Sequence, residues 1–289
     1  MVATHLPKMP SISASGTSGS HAKDFLALLE DGEQEVRAAA AGNLAEMDIA
    51  YTPELVQAVQ RACQDPSVHV RAAIATQLNA LSRLAGPEAT RSDIMPLIEE
   101  LMRDEASQVR LNVVSRLDTL NQVIGVTELS GSLLPAIKAL AGDRQWRVRQ
   151  AILGYFPVLA RHLGPSQELT QLACSWLLDG VYFVRKSAAK CIHELSQAFP
   201  ADWTQGPLKS ELNRILLTSN PNYLKREAIL QALILIDPEA KVMGELWEMM
   251  KRDPIANVRM LVPANLALVD EEEEEDVVHV RSNPPILVD

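Results

Sequence analysis

The chain has 289 residues, of which 47% are hydrophobic, 22% charged and only 4% aromatic. Its 27 basic and 37 acidic side chains give a net charge of −10, which argues against a basic nucleic-acid module. Three cysteines are too few for a disulfide framework, and no window reaches the ~18 uncharged apolar residues of a membrane helix.

Residues 1–23 are rich in Ser, Gly, Pro and Thr and lack the apolar stretch of a secretory signal. They offer little apolar surface to offset ordering entropy, so they are predicted to be a disordered lead. A reduced compartment, cytosol or nucleus, is the expected address.

Residues 24–269 are organised by a repeat. Arginines recur at Arg37, Arg71, Arg110, Arg149, Arg185, Arg226 and Arg259, with spacings of 34, 39, 39, 36, 41 and 33. Six positions before each stand Asp31, Asp65, Asp104, Asp143, Asp179, Asn220 and Asp253. Around every arginine, offsets −1, +3, +7 and +10 fall on one stripe of a helix, and 27 of these 28 positions are apolar. Lys225 is the exception, so its unit should be the least regular. A first helix precedes each aspartate, read at Ile94–Leu101, Leu133–Leu140, Leu172–Leu178 and Leu246–Met250. Pro96 and Pro135 lie within these patterns and predict a bend or a late start. Strand alternation is absent. A helix pair of about 37 residues cannot bury its stripe alone, whereas stacked neighbours bury a continuous one. The predicted fold is all-α: a solenoid of about seven helical repeats, a right-handed superhelical stack of antiparallel pairs whose contacts run between neighbouring units.

The aspartate–arginine column is expected to be mechanical. Each aspartate can accept N–H groups at the start of the second helix, and each arginine can reach the aspartate of its own or the adjoining unit. The rival reading is an external anion site on the arginines. Asn220 would keep the cap and lose the charge. Three consecutive units place an aromatic third after the turn residue, Trp146, Tyr182 and Tyr223, with Phe183 beside the second. In a chain with twelve aromatics this is a concentrated column, suited either to anchoring a protein partner or to stiffening the stack. The first three units carry Gln34, Val68 and Ser107 there, which confines any anchor edge to the C-terminal half.

Towards the C-terminus, Pro263 falls four residues into the last predicted second helix, where it should be costly unless that helix starts late. Residues 270–289 open with seven consecutive acids, Asp270–Asp276, read as a solvated, self-repelling and disordered tail. The run VVHVR at 277–281 resembles a repeat turn, but SNPPILVD cannot continue as a helix. The last apolar face is therefore expected to self-associate or to be covered by Val277–Val280.

Val109 to Gly164 (VRLNVVSRLDTLNQVIGVTELSGSLLPAIKALAGDRQWRVRQAILGYFPVLARHLG), with WLLDGVYFVR, NPNYLKR and DPIANVR, resembles the HEAT-repeat scaffolding (A) subunit of the type 2A protein serine/threonine phosphatase. The resemblance runs in register from about Asp24 to Val269 and fits the C-terminal part of that scaffold. It implies a non-catalytic scaffold or regulatory subunit whose intra-repeat turns bind the phosphatase catalytic subunit. By matching motif, that edge would use Trp146 and Arg147, Tyr182 and Phe183, Asn222 and Tyr223, and Asn257. Gln145 stands where relatives usually carry a lysine, which would weaken one polar contact. The family's regulatory subunit binds N-terminal repeats that have no counterpart among these seven units, so that partner stays open.

No cofactor, metal, nucleic acid or membrane is expected as a partner. Cys191, His193 and Glu194 lie close in sequence, but there is no second pair at ligand spacing, and His69 and His162 are isolated. Neither a phosphate-cradling glycine loop nor a nucleophile elbow is present, so catalysis in this chain is not expected. The alternative function is a HEAT adaptor for other cargo, a transport or trafficking scaffold, binding extended peptides in its groove.

Overall fold

A computed structural model describes residues 18–47, 49–218 and 221–263. Among them every regular element is helical, and the elements pair into seven hairpins. The first helices are Ser18–Leu29, Pro53–Cys63, Met95–Met102, Val126–Ala141, Gln167–Ser175, Lys209–Thr218 and Gly244–Lys251. The second helices start at Gln34, Val68, Ser107, Trp146, Tyr182, Tyr223 and Ala256. Ser18–Leu29 begins inside the segment read as a disordered lead. The acidic run and Asn220 lie outside the described residues.

Second helices pack on the second helices of neighbouring units, and first helices on first helices from unit 1 to unit 4 and between units 5 and 6, so the stack has two layers with one core running along it. The stripe read from the sequence is that core. Val70, Val109, Val148, Val184 and Val258 are buried at offset −1, and Leu78, Leu117, Phe156, Ile192 and Leu233 at offset +7. Lys225 is half-buried in its unit, yet Ile229 and Leu233 on the same helix are buried. That unit's irregularity lies ahead of its first helix, where a wide (π) turn at Thr204–Leu208 carries Pro207.

The prolines behave differently from one another. Pro96 sits in the first turn of Met95–Met102, where its missing N–H costs nothing, and a π turn at Thr90–Ile94 precedes it. Pro135 is carried inside Val126–Ala141 with no new start there. The last second helix is shorter than expected: it ends at Met260, ahead of Pro263, because proline disfavours the helical conformation of the residue before it. The second helix of unit 3 is also split, into Ser107–Val114 and Leu117–Ile124. Gly86, Gly125 and Gly164 have φ of 76°, 81° and 77°, a left-handed stop that a β-carbon would strain. Each lies fifteen residues after its unit's arginine.

Asp237 organises the link between units 6 and 7. Its buried carboxylate accepts the N–H groups of Lys241, Val242 and Met243, and its carbonyl accepts the Trp247 indole N–H at 3.1 Å. Asp237→Ala strands these donors and should cost about 2 kcal/mol. Urea unfolding would show it as a lowered midpoint, largest for amides of residues 237–251 in hydrogen exchange.

Candidate protein-docking edge

The turns between first and second helices are joined by a ladder of ion pairs. Arg37, Arg71, Arg110, Arg149 and Arg226 each place Nε and one terminal nitrogen on the carboxylate of the next unit: Asp65, Asp104, Asp143, Asp179 and Asp253. Nε–oxygen distances are 2.5–2.7 Å. The other terminal nitrogen turns back to its own unit, as in Arg110 to the Asp104 carbonyl at 2.6 Å and Arg149 to the Asp143 carbonyl at 2.6 Å. Arg185 and Arg259 make the same return bond, to the carbonyls of Asp179 and Asp253. The five paired arginines therefore each tie their own turn to the neighbouring one, whereas among the described residues Arg185 and Arg259 brace only their own.

The aspartates do not cap the second helices directly. Each lies two residues before the N-cap and accepts the N-cap residue's own N–H at 2.8 Å, from Glu33, Ser67, Ala106, Gln145, Val181 and Ile255. None of those N-cap side chains caps its helix. Among the second helices only Tyr223–Ile236 has a side-chain cap, Asn222 accepting from Lys225 N–H.

Asp65, Asp143 and Asp253 are held below the usual carboxylate range. Burial alone pushes them up, but arginine hydrogen bonds, the N-cap N–H and the charges of the flanking arginines outweigh it. The unfolded chain thus takes up these protons at higher pH than the folded one. The stabilisation is complete above the ordinary carboxylate pKa, about 4, and is lost as pH falls through the lower folded values. Thermal melts from pH 7 to 3 should hold a level Tm to about pH 4 and then fall, and Asp143→Asn should flatten part of that fall.

The ladder sets the aromatic residues on one edge, in the first turns of their helices. Tyr182 and Phe183 are 48% and 54% exposed and Tyr223 is 39% exposed; Trp146 is half-buried, packing partly on the core. The Trp146 and Phe183 rings stack across two units at 5.7 Å and 21°, and Tyr182 meets Phe183 edge-on at 5.6 Å. The Arg147 guanidinium lies over the Trp146 ring at 4.7 Å. Arg147, Asn222 and Asn257 are exposed. The seven residues read from the sequence thus lie at the start of four successive second helices, and Trp146, Arg147, Tyr182 and Phe183 form one contiguous cluster. The sequence reading passed over Lys186, whose Nζ is 6.0 Å from the Tyr182 ring. Its place one residue after the ladder arginine was the available signal.

The three cysteine side chains are closed off from solvent. Cys63, Cys174 and Cys191 are buried free thiols, and burial pushes all three up, Cys63 to about 12. Among the described residues no three metal-ligating side chains converge, and no helix is long and apolar enough to cross a membrane.

HEAT repeats match residues 22–93, the first two units and the start of the third. Importin β shares the fold with a TM-score of 0.65 at 15% identity, over 84% of this chain and 35% of that one. Cex1p does so with 0.58 at 13% identity, over 79% and 44%. A structure of Crescerin, which uses a TOG domain array to regulate microtubules in the primary cilium, gives 0.50 at 12% identity, over 74% and 88%. No curated protein matches by sequence. At these identities the likeness is one of fold. Residues 22–93 thus match HEAT repeats, and the chain shares the fold of a helical-repeat solenoid.

Proposed function

We propose that this solenoid is a non-catalytic scaffold that holds the catalytic subunit of a type 2A protein serine/threonine phosphatase on the turn edge of its C-terminal units, in the cytosol or nucleus. The observation that carries the reading is the stacked Trp146–Phe183 pair with Tyr182 and Arg147 beside it. Rigid aromatics with a neighbouring guanidinium, held on a ladder-fixed edge, are what a protein interface uses as anchors. In this reading the phosphatase supplies all catalytic groups and any metal, and the chain supplies position.

The test is co-purification of the full chain from native extract, with bound subunits identified by mass. The reading expects a type 2A catalytic subunit that is lost from the Trp146→Ala, Phe183→Ala double variant. Recovery of other cargo, unaffected by that change, would favour the general adaptor instead. A chain that hydrolysed phosphoesters free of any co-purified subunit would overturn the non-catalytic assignment.

A further inference from the structure

Charge is distributed unevenly along the turn edge. In unit 1, Asp31, Glu33 and Glu35 face one arginine, and in unit 3, Asp104 and Glu105 face one. In unit 4 the balance reverses: Arg144, Arg147 and Arg149 stand against Asp143 alone. Units 5 and 6 add Lys186 and Lys225, with Glu227 one residue past Arg226. Among the described residues none of Arg144, Arg147, Lys186 and Lys225 forms an ion pair, and the first three are exposed.

One rung of the ladder also lacks its acid. Arg185 is 5% exposed and donates to the carbonyls of Asp179 and Gly180, but its Nε has no hydrogen-bond partner. The next unit offers a neutral Asn220 at the position where aspartate stands in the other units. A buried guanidinium without a carboxylate, in the middle of a basic aromatic edge, calls for an anionic ligand.

We infer that the edge of units 4–6 binds an extended acidic segment, and that this segment is the chain's own Asp270–Asp276 run. Its seven carboxylates are the complement of the edge. The last described second helix stops at Met260, one residue past Arg259, so Pro263 lies close to the turn edge rather than at the far end of a long helix. Nine residues beyond Pro263 can span about 30 Å, whereas two unit-to-unit steps of about 10 Å reach the turn of unit 5. A tail carboxylate there takes the role that Asp104 plays for Arg71, and the run covers Tyr182, Phe183 and Trp146. The proposal shares its residues with the docking edge described above, but its test needs the chain alone, so the two can fail separately.

The molecule contains a reporter. Trp176, Trp203 and Trp247 are buried, which leaves Trp146 as the tryptophan open to a neutral quencher. In low salt, the acrylamide quenching constant of the full chain should rise about twofold when Asp270–Asp276 are all changed to Asn or Gln, given the roughly millimolar effective concentration of a tethered segment. The difference should vanish at about 0.5 M salt, where screening is short-ranged. Carbodiimide should crosslink the run to Lys186 or Lys225 within one chain. Asn220→Asp, which supplies the missing carboxylate, should raise quenching towards the neutralised variant. Equal quenching of wild type and neutralised variant in low salt would overturn docking. Protection that fades on tenfold dilution would overturn the choice of the chain's own tail, and an Asn220→Asp chain quenched like wild type would overturn the part given to Arg185.

Discussion

Arg110→Ala should destabilise the solenoid by about 3 kcal/mol, the cost of leaving a buried charge without its partner. Asp143 is nearly closed from solvent, its side chain 5% exposed, and accepts Arg110 Nε at 2.7 Å and a second nitrogen at 2.9 Å. After truncation it keeps the Gln145 N–H, its return bond being made by the carbonyl rather than the carboxylate. The carbonyls of Asp104 and Glu105 lose a donor in the same step. For a domain of this size such a loss corresponds to a Tm lower by about 6–12 °C. Arg110→Lys should recover little, since a single ammonium cannot make the two parallel bonds. Arg185 is the internal control once Asp270–Asp276 are neutralised: no neighbouring turn offers it a carboxylate to strand, so on that background Arg185→Ala should cost at least about 1 kcal/mol less than Arg110→Ala. Equal midpoints for the two variants in urea would show that the inter-unit pairs contribute nothing beyond packing.

Trp146→Ala should weaken capture of the catalytic subunit by about 2 kcal/mol, roughly thirtyfold, while the chain stays folded. The indole does two jobs at the edge: it stacks on Phe183 of the next unit and lies under the Arg147 guanidinium. Removing it unseats both neighbours, so Phe183→Ala and Trp146→Ala should be less than additive. Titration of the catalytic subunit onto the immobilised chain measures this directly. An affinity unchanged in the double variant would move the contact to another surface. Tyr223→Ala, two units along from Trp146 and outside the stacked cluster, should cost less.

Much of this architecture was legible in the sequence because a helical stripe repeats without regard to detail. Val70, Val109, Val148, Val184 and Val258, each before an arginine, and the apolar residues seven after the arginines from Leu44 to Leu233 read as one face, and they are buried together. The aromatic column was legible for the same reason: a fixed offset from a fixed turn has to land on one edge. What was not legible depends on reach and local backbone. Both Asp104 and Asp143 were within range of Arg110; the helix spacing decides for the neighbour's carboxylate and the unit's own carbonyl. The distance from aspartate to N-cap, two residues rather than none, is a turn geometry that periodicity does not encode. Pro263 flags trouble in the last second helix, but the stripe continues past it and does not say that the helix stops early, at Met260, rather than starting late. The signal for Gly86, Gly125 and Gly164 was present at a constant offset, but glycine carries no side chain to join a stripe.

Because five of the seven arginines hold a carbonyl of their own turn with one nitrogen and the following unit's carboxylate with the others, the bonding pattern has a sense of direction along the chain. A stretch copied or excised between equivalent points of two turns joined by such a pair leaves the arginine at the joint facing a matching carboxylate. Genes for chains of this kind can lengthen or shorten by whole modules without rebuilding a joint.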